Sequence, residues 1–285
     1  MAPHVVFAGL STLDLAYLVD EFPHEDSKNL AREQFTAGGG PALNASVACA
    51  ALGTEAVLIT ALGRCAIADL IRVDVETHGV EVVDTTPRAL GQPPISSIVV
   101  ASSTASRTVV SIDGSQTAAP FSDDLAHHLD NAAALLVDGH HPEVAIGMAT
   151  AAQRAGVPVV LDAGRWKPVF ERLLPLTDIA ICAAGFQPPG TADISDICAL
   201  GPRLVAITHG ARSIEYATTE SRGLIAVEKV DAIDSLGAGD ILHGTFCHFL
   251  ATGLDDLAAV EHASKVASRS TESFGTRAWI DALNS

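Results

Sequence analysis

Cysteine, aromatic residues and basic charge are all scarce in this chain of 285 residues. The five cysteines are widely spaced and form no Cys-x-x-Cys pair, which argues against a disulfide framework or a zinc site and indicates a cytoplasmic protein. Lysine and arginine total 17 against 34 aspartates and glutamates, for a net charge of −17. That charge opposes binding to nucleic acid or to anionic membranes, although backbone amides can still bind a phosphate locally.

Long uninterrupted apolar runs are also missing. The first ten residues do not combine a basic segment with an apolar one, so no signal peptide is predicted. The apolar stretch at 45–63 contains Gly53 and Glu55, and a buried helix, a turn and a buried strand explain it better than a membrane span. Hydrophobic residues make up 48% of the chain and charged residues 18%, which is typical of a globular protein with a sizeable core.

Short β-branched runs alternate with longer alanine-rich segments along most of the chain. The runs predicted to be buried strands are 5–8, 57–60, 135–138, 158–162, 178–182 and 204–208. The predicted helices between them are 41–52, 69–77, 122–131, 143–155 and 166–174. This alternation predicts right-handed βαβ units and an α/β fold with a doubly wound, mostly parallel sheet flanked by helices.

Two parts of the chain break the alternation. The runs at 95–101 and 107–113 predict an antiparallel hairpin, and further strands are expected at 13–19 and 33–36. Together they predict a small β-sheet lid, formed by about 11–36 and 90–117, that covers a cleft. Towards the end, antiparallel strands are expected at 213–218, 223–227 and 229–233, followed by long helices at about 238–252 and 255–273.

The strongest local signal is the segment Asp-Ser-Leu-Gly-Ala-Gly-Asp at 234–240, which follows a predicted strand and opens a predicted helix. Glycines at such a junction let the backbone approach a ligand closely, and the free amides of a first helical turn attract anions. Asp240 falls in that turn, where its carboxylate is stabilised by the helix dipole and can take a proton from a hydroxyl group. The simpler alternative is that Asp240 only caps the helix.

A second glycine-rich segment, Gly-Gly-Gly-Pro-Ala-Leu-Asn at 38–44, leads into an alanine-rich predicted helix. Its glycines permit close contact with a small polar ligand, and Asn44 offers both a donor and an acceptor. By itself the segment is also consistent with a flexible helix entry that has proline at its first position. Neither segment has the Gly-Lys-Ser/Thr of a Walker A loop or the spaced glycines of a dinucleotide-binding motif.

In combination, these segments resemble the two signatures of the PfkB family of carbohydrate kinases, also called ribokinase-like. The resemblance covers about residues 5–280, with the signatures in the family's order at 38–44 and 234–240. It implies one ribokinase-like α/β domain over 1–285 with a lid subdomain. It also implies ATP-dependent phosphoryl transfer to a hydroxyl group of a small sugar or sugar derivative, with Mg²⁺ as the metal cofactor.

The resemblance also implies roles for individual residues at matching positions. Asp240 matches the general base, and the amides of Gly237, Ala238 and Gly239 match the anion hole for the transferred phosphoryl group. The matching substrate-binding residues are Asp14, Gly39, Gly40, Asn44 and, on the lid hairpin, Arg107. The matching nucleotide-binding residues are Thr208, Gly210, Ser264 and Gly275.

Some family features are absent, and they concern the metal and the nucleotide. The family's Asn-x-x-Glu is replaced by Cys-Ala-Ala-Gly-Phe-Gln at 182–187, which contains no carboxylate. The nucleotide turn carries His209 in place of leucine and Ser213 in place of the last glycine. We therefore expect Asp162 to help hold Mg²⁺ through water, although a cap at the end of a strand is the alternative. Asp234 matches a ligand of a monovalent cation such as K⁺.

Two other functions stay open at this point. A nucleoside kinase of the same fold would need a flat, partly aromatic pocket, and only 5% of the residues are aromatic. A sugar- or nucleotide-binding protein with impaired catalysis would fit the altered metal motif, but the intact 234–240 segment argues against it. The resemblance implies a homodimer through the lid, because the lid hairpin of the family commonly pairs with a second copy. Such pairing would also cover the exposed edge of the hairpin.

Overall fold

The computed structural model describes residues 3–112, 114 and 117–283. Within these residues the strands are β1 His4–Ala8, β2 Thr12–Val19, β3 Glu33–Gly39, β4 Glu55–Thr60, β5 Val80–Asp84, β6 Ile95–Ala101, β7 Ser106–Ser111, β8 Ala132–Val137, β9 Val159–Ala163, β10 Ile179–Ala183, β11 Leu204–Thr208, β12 Ile214–Thr218 and β13 Arg222–Ile225. The α-helices are α1 Pro41–Ala51, α2 Ala66–Thr77, α3 Pro142–Ala155, α4 Phe170–Leu173, α5 Ile194–Cys198, α6 Ala238–Ala251, α7 Asp256–Ser270 and α8 Ala278–Leu283.

Nine strands form the main sheet, in the order β13-β12-β11-β10-β9-β8-β1-β4-β5. The strands from β11 to β5 in that order run parallel, while β12 and β13 are added antiparallel at one edge. The interior strand β1 is fully buried over Val5–Ala8 because helices cover both faces of the sheet. The predicted doubly wound α/β fold is confirmed, and the alternating sequence pattern explains it.

Helices α1, α6 and α7 pack together on one face of this sheet, while α3 and α4 lie on the other. Helices α1 and α6 approach closely at Gly244, where a Cβ atom would lie 2.0 Å from the carbonyl oxygen of Ala45. This contact requires glycine. It also brings the N-terminal turns of the two helices together, so that the two glycine-rich segments meet.

The lid is a separate four-stranded sheet with the order β3-β2-β6-β7. Strand β2 pairs antiparallel with β3 and parallel with β6, and β6 and β7 form the predicted antiparallel hairpin. Its buried residues Ala16, Leu18, Ile98 and Val100 pack against Leu236 and Phe274 of the main body. The lid therefore contacts the loop that precedes α6. Residues 113, 115 and 116 of the predicted lid segments lie outside the described residues.

Several predicted elements were wrong. Residues 229–233 form no strand, because the amides of Ile233 and Asp234 donate to the carbonyl of Thr271 after α7. The predicted helix at 122–131 is a 3-10 helix over Asp123–Leu129. At 166–174 only Phe170–Leu173 is α-helical, and Pro168 disfavours helical geometry at Lys167 before it. Strand β5 was not predicted, since Glu81 interrupts its short apolar run.

No helix among residues 3–112, 114 and 117–283 combines the length and the apolar character that a membrane crossing requires.

Candidate active site

The site is organised around the N-terminus of α6. Gly237 precedes the helix with φ +72°, a left-handed conformation that favours glycine, and a Cβ atom there would lie 2.7 Å from the methyl group of Thr276. The first amides of an α-helix have no acceptor within the helix. Here the amide of Ala238 reaches the carbonyl of Ser235 only at 3.4 Å, and a Cβ atom on Gly239 would meet no other atom within 4 Å. The turn can therefore bind an anion.

The half-buried carboxylate of Asp240 lies in the same turn. Its Oδ2 accepts a hydrogen bond of 2.8 Å from Nδ2 of Asn44, which α1 carries at its own N-terminal turn. Within the part of the chain that the structure describes, no hydrogen-bond donor contacts the other oxygen, Oδ1. A direct hydrogen bond thus joins the two glycine-rich segments.

Burial raises the pKa of Asp240 from its ordinary 3.8 to about 7. The negative charge of Asp162 adds to this effect, while the hydrogen bond from Asn44 and the charges of His243 and Arg107 oppose it. A carboxyl group with a pKa near neutrality is a stronger base than an ordinary aspartate and still ionises under physiological conditions. The group therefore has the properties of a general base.

His243 lies beside the candidate site, and the sequence reasoning did not single it out. Its buried ring lies one turn after Gly239, with Nδ1 2.7 Å from the carbonyl oxygen of Gly239 and Nε2 3.1 Å from that of Ile181. Oδ1 of Asp162 is 3.6 Å from Nε2. Both ring nitrogens therefore lie against carbonyl oxygens, which only accept hydrogen bonds. Its position three residues after Asp240, on the face of α6 towards the sheet, was the available signal.

The other glycine-rich segment supports Asp14. The side chain of Asp14 is buried, and its Oδ1 accepts a 2.7 Å hydrogen bond from Thr12. A Cβ atom on Gly39 would lie 2.1 Å from Oδ2 of Asp14, so glycine is required where β3 passes this carboxylate. Burial raises the pKa of Asp14. Gly40 follows with φ +96°, close to the carbonyl of Leu10.

The lid hairpin reaches the main body beside the anion-binding turn. Nη1 of Arg107 donates to Oγ of Ser235 at 2.9 Å, and that hydroxyl group donates to the carbonyl of Ala105 at 3.1 Å. Arg107 is otherwise exposed. The lid is therefore closed against the loop that leads into α6, and it brings a cation near the site.

The loop after α7 forms another wall. Both carboxylate oxygens of Asp234 accept amide hydrogen bonds, from Leu236 at 2.8 Å and from Gly275 at 2.9 Å. Asp234 is buried, and this burial raises its pKa. Arg277, which the sequence reasoning did not single out, donates to Oδ1 of Asn44 at 3.0 Å. The loop thus contacts both glycine-rich segments.

The residues predicted to bind nucleotide lie elsewhere. Thr208 ends β11 and donates to the carbonyl of Cys182 at 3.3 Å, and Gly210 follows with φ +64° in open space. The buried hydroxyl group of Ser264 donates within α7, to Glu261 at 2.9 Å. Within 3–112, 114 and 117–283, no hydrogen bond joins Thr208, Gly210 or Ser264 to Asp240. Gly275 instead joins the Asp234 loop.

A cavity of about 510 Å³ is lined by residues that include His140, Glu143 and Lys167. Asp138, beside it, accepts amide hydrogen bonds from Leu10 at 2.8 Å and from His140 at 2.9 Å. Burial alone would raise the pKa of Asp138, but the charges of His140 and Lys167 and the amide hydrogen bonds outweigh burial and lower it. Asp138 therefore joins the loop that carries His140 to the residues that lead into β2.

The described residues hold no ready-made metal cage, since they include no group of three or more histidine, cysteine, aspartate or glutamate side chains that could hold an ion. Mg²⁺ in phosphoryl-transfer sites needs only one or two carboxylates besides the phosphates of the substrate. Asp162, near the end of β9, is a nearly buried carboxylate that faces His243, and its charge raises the pKa of Asp240. The donor set is compatible with an ion held mainly by a nucleotide.

Comparisons with known proteins agree with this arrangement. Residues 2–282 match the sequence profile described as pfkB family carbohydrate kinase. The chain is 28% identical over 271 residues to the ATP-dependent ribose-1-phosphate kinase of Halopiger xanaduensis. The aligned residues cover 91% of this chain and 89% of that protein. It is 24% identical over 286 residues to the ribokinase of Bacillus subtilis, with 99% and 97% covered.

Solved structures share the fold. Ribokinase from Arabidopsis thaliana, complexed with ribose and ATP, matches with a TM-score of 0.77 and 21% identity, over 100% of both chains. Ribokinase from Giardia lamblia matches with a TM-score of 0.82 and 18% identity, over 99% of both chains. These similarities confirm the predicted ribokinase-like sheet with its small lid.

Proposed function

The chain belongs to the pfkB family of carbohydrate kinases, and we propose that it transfers the γ-phosphoryl group of ATP to a hydroxyl group of a small sugar or sugar derivative. The observation that carries this proposal is the carboxylate of Asp240, with its raised pKa, in the same turn as the amides at 237–239. The names of the relatives, ribose-1-phosphate kinase and ribokinase, support a sugar as the acceptor.

The chemical step follows from this juxtaposition. Asp240 takes the proton of the acceptor hydroxyl group on its uncontacted Oδ1. The hydroxyl oxygen then forms a bond to the γ-phosphorus as the bond from that phosphorus to the bridging oxygen breaks, which releases ADP. Because phosphoryl transfer depends mainly on alignment and charge stabilisation, the amides of Gly237, Ala238 and Gly239 stabilise the transferred group. The closed lid excludes water, which limits wasteful hydrolysis of ATP.

Five residues are proposed to bind the sugar. Asp14 and Asn44 offer hydrogen-bonding groups to sugar hydroxyls, and Gly39 and Gly40 let the backbone approach the ligand. Arg107 on the lid adds a cation at the phosphate side. Because a ribose-1-phosphate kinase is among the relatives, phosphorylated and sulfonated sugars are tested as acceptors beside neutral ones.

Nucleotide and metal are proposed to bind at the neighbouring strand ends. Thr208 and Gly210 would contact the phosphates of ATP, and Ser264 and Gly275 would flank its adenine. Asp162 would hold Mg²⁺ through water, and the ion when bound neutralises charge on the phosphates. A monovalent cation such as K⁺ at Asp234 stays a prediction, since it would have to share a carboxylate oxygen that already accepts an amide.

Three further predictions concern the whole protein. We propose one functional unit over 1–285 in which the lid is a subdomain, and a cytoplasmic location. We also propose a homodimer through the lid, because its edge strand β7 exposes Val109 and Val110. A monomer in sedimentation at micromolar concentration would contradict the dimer.

The kinase proposal is tested by ADP release with a panel of hexoses, ketoses, pentoses, sugar phosphates, sulfosugars and nucleosides. We expect one sugar class to support turnover and the Asp240→Asn variant to lose it almost completely, while Asp69→Asn, which changes an exposed carboxylate on α2, keeps it. Turnover retained by Asp240→Asn would exclude that residue as the base. Preference for nucleosides would instead identify a nucleoside kinase, and tight sugar binding without ADP formation would identify a protein with impaired catalysis.

A further inference from the structure

Arg277 connects the catalytic side chains to helix α2. Its Nη1 donates to Oδ1 of Asn44 at 3.0 Å, and its Nη2 donates to Oδ2 of Asp74 at 3.0 Å and to the carbonyl of Gly38 at 2.7 Å. Only 15% of the Arg277 side chain and 20% of the Asp74 side chain are exposed. The guanidinium group is therefore held from one side by an ion pair and contacts the active site on the other.

The backbone that carries Arg277 is equally well fixed. The buried indole of Trp279 donates to the carbonyl of Thr276 at 3.1 Å, and the amide of Gly275 donates to Asp234. Thr276 itself is buried against Gly237, at the start of the anion-binding turn. The position of the guanidinium group is thus set by the same loop that contacts α6.

The contact between Arg277 and Asn44 determines how the Asn44 amide is oriented. A guanidinium group only donates hydrogen bonds, so it requires the oxygen of the amide to face it. The NH₂ group must then face Asp240, where it donates to Oδ2 and leaves Oδ1 for the substrate. If the amide were reversed, its oxygen would lie against the carboxylate and would repel it.

We propose that Arg277 is a positioning residue for the general base, because it fixes the amide of Asn44 and through it the carboxylate of Asp240. Asp74 and Gly38 in turn fix the guanidinium group. This inference rests on the proposed function, since it assigns a role in preparing Asp240 to accept a proton. Arg277 itself need not touch the sugar or the nucleotide.

The charges around these groups set the expected direction of change. Asp240 faces Asp162 on β9, His243 on α6 and Arg107 on β7 in addition to Asn44. Arg277 faces Asp74 on α2 and also lowers the pKa of Asp14 on β2. Loss of Arg277 frees the Asn44 amide to turn. The carboxylate of Asp240 then loses a donor, and the pH at which the enzyme gains half of its activity rises.

The test compares Arg277→Ala with Arg277→Lys and with Arg203→Ala, a control that removes an arginine whose ion pairs with Asp178 and Asp256 lie outside the site. We expect kcat of Arg277→Ala to fall about 10- to 100-fold, the loss of one hydrogen bond to a charged group. The acid limb of its pH–rate profile should move to higher pH by about one pH unit. Added guanidinium ion should restore part of kcat, Arg277→Lys should be intermediate, and the control should match the wild type.

A second readout does not depend on turnover. In protein labelled with ¹³C at aspartate carboxyl groups, the NMR titration of Asp240 should move to higher pH in Arg277→Ala, whether or not the right sugar has been found. A folded Arg277→Ala variant with an unchanged Asp240 titration and an unchanged kcat would overturn the proposal. If that variant does not fold, the titration of Asp240 must move to higher pH, by a smaller amount, in Asp74→Asn. An unchanged titration in Asp74→Asn would then overturn the proposal. Lack of turnover in the wild type would count against the kinase proposal alone.

Discussion

Removal of the negative charge of Asp162 should lower the pH at which the enzyme becomes active. Burial and the charge of Asp162 both raise the pKa of Asp240 to about 7, against the hydrogen bond from Asn44 and the charges of His243 and Arg107. Because Asp240 accepts the proton in its ionised form, the wild-type rate should rise with pH and level off above about 7. At pH ~6 roughly a tenth of the enzyme would hold the base ionised.

The Asp162→Asn variant keeps the shape of the side chain and removes its charge. Neighbouring charges move a pKa by about one unit or more, so the variant should be about half ionised at pH ~6. After each profile of kcat/KM is divided by its own plateau, the variant should therefore be about five times more active than the wild type at that pH. This normalisation separates the effect on the base from any loss of Mg²⁺ binding, which lowers the plateau. Normalised profiles that coincide for the variant and the wild type would refute the electrostatic reasoning. Asp69→Asn is the control, because it removes one negative charge from the exposed surface of α2.

Three other outcomes are expected. The folded protein holds a proton on Asp240 up to a pH of about 7, far above the ordinary pKa of 3.8, so stability from this group falls as pH rises between these values. Asp240→Asn should therefore raise the free energy of unfolding by about 0.5–2 kcal/mol at pH ~8, which is measured as a higher Tm. This gain should narrow towards pH ~4. Gly39→Ala should raise KM for the sugar at least ~10-fold and lower stability by about 1–3 kcal/mol, as measured by kinetics and urea unfolding, because its Cβ would overlap Asp14. Arg107→Ala should release ADP in excess of sugar phosphate, because the contact that closes the lid on Ser235 is lost.

The sequence predicted the parts of the site that depend on local backbone geometry. Gly237 and Gly40 have positive φ angles, which only glycine adopts readily, and each precedes a helix at the expected place. The buried strands were predicted because a parallel sheet covered on both faces needs continuous apolar runs. The lid hairpin was predicted from two short runs that are rich in serine, threonine and valine and are separated by small polar residues, and it lies where the pattern indicated.

The parts that were missed depend on contacts distant in sequence. Arg277 and Asn44 are 233 residues apart, and a sequence pattern gives no sign that one orients the other. His243 reads as an ordinary helical residue until the carbonyl of Ile181, 62 residues away, comes to lie against its ring. The false strand at 229–233 fails for the same reason, because its last amide pairs with Thr271 rather than with a neighbouring strand.

Under the proposed function, the missed residues also explain how a chain with a net charge of −17 would bind nucleotide phosphates at this site. Asp162 and Asp240 place two carboxylates near the anion-binding turn, and their charges alone would repel a phosphate. His243 lies 3.6 Å from Asp162, and the Asn44 amide, which contacts Arg277, donates to Asp240, so each carboxylate has a polar partner within the protein. The amides of the turn and Arg107 are then left to face the incoming phosphate. High salt should weaken this site less than an exposed basic patch, because buried pairs are screened less than charges in water.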